Sequence, residues 1–131
     1  MQLNITTDYA IRTVLFLAIK KDVVSSSEIS AAMKIPQNYI LVLTKRLREA
    51  GIIDTIRGSN GGFVLKKEPW DISIHDIIQA MEGTTKINRC LEEDHYCSRH
   101  AIDTCPVRKN YEKFQTIFDD YMNGITIESL M

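Results

Sequence analysis

Cys90, Cys97 and Cys105 are the three cysteines of the chain, and all fall in one short charged stretch, INRCLEEDHYCSRHAIDTCPVR. His95 and His100 lie between them. The spacing is C-x(6)-C-x(7)-C. It lacks the C-x(2)-C knuckle of a zinc finger or a thioredoxin-type redox pair. Loops of this length can wrap something larger than a single tetrahedral ion. Iron-sulfur clusters are held chiefly by thiolates. Three cysteines leave one cluster position short, so a non-cysteine ligand or an open site is implied. Spacing alone leaves four readings open: a cluster, a zinc site completed by His95 or His100, a redox-active thiol pair, and three unrelated small residues. An odd cysteine count, with no signal-peptide layout, argues against a disulfide framework and for a cytoplasmic protein.

A second chemistry is carried by charge. The net charge is −1, which by itself points away from nucleic acid. Its distribution points the other way. Between Lys34 and Lys67 seven basic residues face only Glu49 and Asp54. From Leu91 onward eight acids face four bases. A basic middle and an acidic tail can hide a nucleic-acid surface inside a neutral total.

The elements that must position these groups follow from periodicity. Thr6 or Thr7 is placed to cap a first helix, with Asp8 in its positive first turn. Ile11, Val14, Leu15 and Ala18 recur there at helical spacing. Ser25 and Glu28 have capping-box spacing for a second helix, whose stripe is Ile29, Ala32 and Met33. Pro36 breaks the chain. A third helix over 37–50 buries Ile40, Leu43, Leu47 and Ala50, and Gly51 stops it. Two short helices and a tight turn form a helix-turn-helix. The period then changes to strand on either side of GSNGG, where Asn-Gly signals a hairpin through its taste for positive φ. Ser73 caps a fourth helix, Ile72 and Ile77 form a hydrophobic staple, and Gly83 ends it. A long amphipathic helix over 107–123 carries Tyr111, Phe114, Ile117, Phe118 and Tyr121. So apolar a helix needs a partner, either its own core or the same helix of a second subunit.

Opposite the core stripe of the third helix stand Gln37, Asn38, Leu41, Lys45 and Arg48, with Thr44 at the flank. Amides can bond adenine edges and the cations suit phosphates. The hairpin would be a wing with Arg57 near its tip, suited to a narrow minor groove. A phosphate-cradle reading of the glycines fails, because the loop opens a strand and not a helix. His75, His95 and His100 have no serine or cysteine partner in a catalytic motif, so no enzyme is expected. No apolar run approaches the ~20 residues of a membrane span. A protein-interaction or cluster-carrier module is the remaining alternative from another class.

Several stretches are similar to the Rrf-two family of bacterial winged-helix transcription regulators. TTDYAIRTVLFLA resembles its first helix, IPQNYILVLTKRLREAGIIDTIRGSNGGFVL its recognition helix and wing, and SIHDIIQAMEG and TIESL its later segments. RGSNGGF is the most specific match. The resemblance spans essentially the whole chain. It implies a mainly α fold: a winged helix-turn-helix with a β-hairpin wing and a long C-terminal dimerisation helix. The expected division is a DNA-binding domain over 1–83, a cysteine-rich cluster-binding loop over 84–106, and a dimerisation helix and tail over 107–131. The implied partners are a second copy of the chain and a palindromic double-stranded operator. The DNA-contacting set becomes Gln37, Asn38, Tyr39, Thr44, Lys45 and Arg48, with Arg57, Ser59 and Asn60 on the wing. Cys90, Cys97 and Cys105 would ligate an iron-sulfur cluster, four-iron in preference to two-iron.

Two positions depart from the iron-sulfur-regulator branch of that family. Its histidine three residues after the last cysteine is here Arg108. In the nitric-oxide-sensor branch an aspartate of the partner subunit's first helix supplies the fourth ligand, and Asp8 occupies that place. Leu41 and Val42 stand where the first branch has an acid and an amide, so DNA preference should differ. Zinc or free-thiol sensing at the cysteines is the nearest alternative.

Overall fold

The computed structural model of the chain describes residues 1–131. Helix α1 spans Ile5–Lys20, α2 Ser26–Met33 and α3 Gln37–Glu49. Strands β1 (Ile53–Ile56) and β2 (Gly62–Leu65) follow, then α4 (Ile74–Glu82) and α5 (Pro106–Gly124). The result is a mainly α winged helix-turn-helix, as expected. No helix is long and apolar enough to cross a membrane.

The cap of α1 is Asn4, not Thr6 or Thr7: its side chain accepts from the Thr6 N–H. Thr7 is buried instead, donating to Glu82 Oε1 at 2.6 Å. The buried stripe of α1 is Ala10, Val14, Leu17 and Ala18, while Ile11 and Leu15 are only half-buried. Thr13 is also buried. Helix α1 packs on α2, α3, α4 and β2, so apolar and small residues occupy most of its circumference and the periodic signal is blurred. Ser25 caps α2 as expected. Of that helix's stripe, Ile29 is buried, Met33 half-buried and Ala32 exposed. Ile40, Leu43 and Leu47 of α3 are fully buried; each such side chain contributes about 1.5–3 kcal/mol. Ala50 is exposed as the helix C-cap. Gly51 follows at φ 73. Its N–H bonds Arg48 O, and the Ile52 N–H bonds Leu47 O. This double closure stops the helix and turns the chain into the wing.

The hairpin pairs Ile53 with Leu65 through to Ile56 with Gly62, leaving a five-residue loop. The Asn-Gly pair does not supply the positive φ. Gly58 does, at φ 116, and the Gly61 N–H closes onto Gly58 O at 3.0 Å. Gly62 is required for a different reason: a Cβ there would lie 2.3 Å from Val24 O. Val24, in the link between α1 and α2, forms a two-bond antiparallel bridge with Phe63. The wing is thereby sewn to the helical body.

Ser73 caps α4 with a complete capping box, Ile72 and Ile77 are both buried beside it, and Gly83 ends it in a left-handed turn. After α5 the chain returns to this point. Ile74 N–H bonds Ile125 O, and Ile127 N–H bonds Ile72 O, each at 2.9 Å. Ile127 is fully buried in the common core.

Candidate DNA-reading face and cysteine cradle

On α3, Gln37, Asn38, Lys45 and Arg48 are exposed on one side, together with Leu41 and Val42. Arg48 donates to Thr55 Oγ1 at 3.2 Å, so this cation is steadied against β1. Two expected members of the set are placed otherwise. Thr44 is buried, its hydroxyl donating to Ile40 O at 2.6 Å. A threonine in mid-helix satisfies itself on the preceding turn, and Thr44 is therefore withdrawn from the base-reading set. Tyr39 is half-buried, with its ring edge-on to Tyr9 at 5.2 Å. That aromatic pair seats α3 on α1. Arg46 is also structural, reaching Met81 O at the end of α4. Arg57, Ser59 and Asn60 all lie exposed in the wing loop.

The cysteine segment runs from Gly83 to Cys105 and is fastened by two residues that have no signature in the sequence. Gln115 is the one buried residue of α5. Its amide oxygen accepts from the Ile87 N–H at 2.8 Å. Its amide nitrogen donates to Thr85 O and to Asp119 Oδ1, both at 2.9 Å. Asp119 Oδ1 lies 3.1 Å from His75 Nε2 of α4. A chain of polar contacts thus joins α4, α5 and the start of the loop. Arg108, in the first turn of α5, fastens the other part. It donates to Cys90 O at 3.3 Å, meets His95 Nδ1 at 3.0 Å and pairs with Glu112. Its side chain is 14% exposed, low for an arginine. Where a ligating histidine was the alternative, the arginine is a brace.

The three cysteines bound one cavity of about 260 Å³, walled also by Tyr96, Ile102, Val107 and Tyr111. Two of the sulfurs, those of Cys90 and Cys105, accept hydrogen bonds. Asn88 Nδ2 is 3.2 Å from Cys90 Sγ, and the Arg108 backbone N–H is 3.5 Å from Cys105 Sγ. The backbone N–H groups of Ala101 and Arg99 hold the Cys97 thiol below its ordinary pKa, against partial desolvation. His95 and His100 take left-handed φ values of 49 and 51. No three His, Cys, Asp or Glu side chains are gathered closely enough to hold one metal ion. The thiols ring a space and do not converge on a point. On the rim, Arg89 pairs with Asp94 and stacks over Tyr96 at 5.5 Å. The Arg89 guanidinium holds the Asp94 carboxyl down at about 2.

Asp8 does not line this cavity within the chain. It pairs with Arg12 at 2.5 Å, half-exposed in the first turn of α1. Arg12 lies over the Tyr9 ring and reaches Met33 O, at the end of α2.

The chain as a whole is similar to known proteins. The profile of Rrf2, described as "Iron-dependent Transcriptional regulator", matches residues 3–131. A protein of Aquifex aeolicus named as an HTH-type transcriptional regulator is 33% identical over 127 residues, 96% of this chain and 88% of the relative. The HTH-type transcriptional regulator NsrR of Halalkalibacterium halodurans is 34% identical over 107 residues, 80% of this chain and 68% of the relative. Among solved structures, CymR, the global cysteine regulator of B. subtilis, superimposes with a TM-score of 0.81 at 26% identity, covering 99% of this chain and 95% of that one. The fold, the exposed face of α3 and the whole-length match agree: the chain belongs to the Rrf2 family of DNA-binding transcriptional regulators, which are not enzymes.

Proposed function

We propose that the chain works as a cytoplasmic homodimer that grips a palindromic operator and adjusts that grip through an iron-sulfur cluster held by Cys90, Cys97 and Cys105. The observation that carries this reading is the one cavity that all three cysteines line, with N–H donors at Cys90 and Cys105, since hydrogen bonds to the sulfurs are a recognised lever on cluster potential. The fourth ligand in this proposal is Asp8 of the partner subunit, with a four-iron cluster preferred over a two-iron one. When bound, the cluster supplies a centre reactive toward nitric oxide or oxidants, or one that reports iron-sulfur supply. The remaining work belongs to the protein's own residues.

Gln37, Asn38, Lys45 and Arg48 address the major groove, and Arg57, Ser59 and Asn60 the flanking minor groove. The working division is DNA reading over 1–83, cluster holding over 84–106 and pairing over 107–131. Phe114, Ile117 and Tyr121 of α5 support the pairing: they stand exposed on one side of that helix, Ile117 and Tyr121 at 68% each. Arg12 is favoured as the relay, because it joins Asp8 to the last turn of α2. A ligand that draws Asp8 away from Arg12 changes the support of the DNA-reading unit. Such control needs different operator affinities in the two dimer geometries.

A second reading keeps the fold and replaces the cluster with a thiol switch at Cys97. It is favoured by the lowered pKa of that thiol and by the likeness to a cysteine regulator. A structural zinc ion is the third. Purification without oxygen, followed by visible spectroscopy and iron, sulfide and zinc assays on one sample, separates the three. Broad sulfur-to-iron absorption with matching iron and sulfide supports the cluster. Stoichiometric zinc, or a colourless metal-free protein after attempted reconstitution, refutes it. Retardation of no DNA duplex in any state refutes DNA reading and favours a protein-interaction module.

A further inference from the structure

Helix α3 buries Ile40, Leu43 and Leu47 completely, yet Leu41 stands 73% exposed. The other exposed leucines, Leu3 and Leu130, reach only 46% and 45%. Leu41 is not on a frayed end or a random surface. Gln37 and Asn38 lie one turn before it, Lys45 one turn after and Arg48 two turns after, so Leu41 sits in the middle of the polar stripe. Val42, also exposed, widens the apolar spot on the side of Asn38 and Lys45. An isolated exposed leucine needs no explanation. An apolar spot enclosed by groups that suit base edges and phosphates does.

The major groove offers one apolar group for such a spot to meet. Every other functional position along it is a hydrogen-bond donor or acceptor; the exception is the C5 methyl of thymine. We infer that Leu41 reads the C5 methyl of a thymine in each operator half-site, with Val42 closing the flank of that contact. This rests on the DNA-reading role of α3 proposed above. The amides and cations then orient the helix, and Leu41 adds an apolar contact that thymine meets through its methyl and cytosine, which has none, does not. Replacing thymine with uracil removes only the methyl and leaves the pairing and the hydrogen-bonding edge intact. Burying one methyl is worth about a fourfold change in affinity, and about fifteenfold for a symmetric pair.

The test starts from random duplexes selected on the full-length protein, prepared without oxygen and, separately, after cluster removal. Each thymine of the selected operator is replaced by deoxyuridine and titrated by gel retardation. The expected result is one thymine per half-site whose replacement weakens binding about fourfold singly and about fifteenfold when both are changed. Leu41→Ala should bind thymine and uracil duplexes equally, while Leu41→Met restores the difference. Absence of any sensitive thymine, or a uracil penalty that persists in Leu41→Ala, overturns the inference and leaves DNA reading intact. Selection of no duplex in either preparation overturns the DNA-reading role itself, and the methyl contact with it.

Discussion

Replacement of Gln115 by leucine isolates what fastens the cysteine segment. The two side chains have similar volume, so packing in α5 changes little. What is lost is the acceptor for the Ile87 N–H, the donor to Thr85 O and the donor to Asp119. Two backbone groups are then left in a half-buried place without partners. At roughly 1 kcal/mol for each, with water reaching part of the site, the loss is about 2 kcal/mol. For a domain of this size that is a fall of about 7 °C in melting temperature. The assay is thermal unfolding by circular dichroism at fixed protein concentration, because the proposed pairing would make the midpoint concentration-dependent. Hydrogen exchange gives the local readout: the Ile87 amide should lose protection while Ile40 and Leu43 in α3 keep theirs. A midpoint within 2 °C of the starting protein (an arbitrary threshold of roughly half a kcal/mol), together with unchanged Ile87 protection, would show that Gln115 does not fasten the loop.

Three further outcomes are expected. Ile117→Glu places a charge on the exposed apolar side of α5 and should give a folded monomer by light scattering with unchanged helix content; a variant that remains dimeric places the interface elsewhere. Arg57→Ala should weaken operator binding and reduce its dependence on salt by about one counterion, and an unchanged titration would remove the wing arginine from the contact. Asp94 has its carboxyl lowered to about 2 by Arg89. A group depressed in the folded state contributes above its unfolded pKa, near 3.9, and that contribution is lost as pH falls toward 2. The Tyr96 ring, stacked under Arg89, should therefore change its nuclear resonance shifts over that acid window, and Asp94→Asn should abolish the change. Titration that persists in the variant assigns it to another group.

The course of the chain was legible where a local rule acts alone. Ser25 and Ser73 start helices through their side-chain caps, and Gly51 and Gly83 stop them by taking positive φ. The hairpin lies where GSNGG placed it, although Gly58 and not Asn60 takes the positive φ. That difference comes from loop length, since five residues close differently from two. The stripe of α1 is only partly legible: Val14 and Ala18 are buried and Ile11 and Leu15 pack against the core, but neighbours on several sides also bury Ala10, Leu17, Thr7 and Thr13, the threonines with their hydroxyls satisfied. The stretch that gathers the cysteines was plain, but their cavity was not. Its shape depends on Arg108 reaching Cys90 O across 18 positions and on Gln115 reaching Thr85 across 30. A lone glutamine among apolar residues carries no periodic mark. Thr44 shows the converse: a polar residue on the margin of an exposed face turned inward because a helix carbonyl was within reach.

The return of the chain after α5 has a mechanical consequence. A helix of 19 residues is a rod about 28 Å long. Held at one end it would pivot. This rod is held at both: Arg108 and the cysteine loop grip its start, and Ile125 and Ile127 are stitched beside Ser73 at its finish. It therefore behaves as a strut. A strut does not bend to carry a signal; it twists about its length or slides along it. A small displacement at Cys105 would then be carried along the rod toward its far end, where Thr126 pairs with Ser73, the cap of α4.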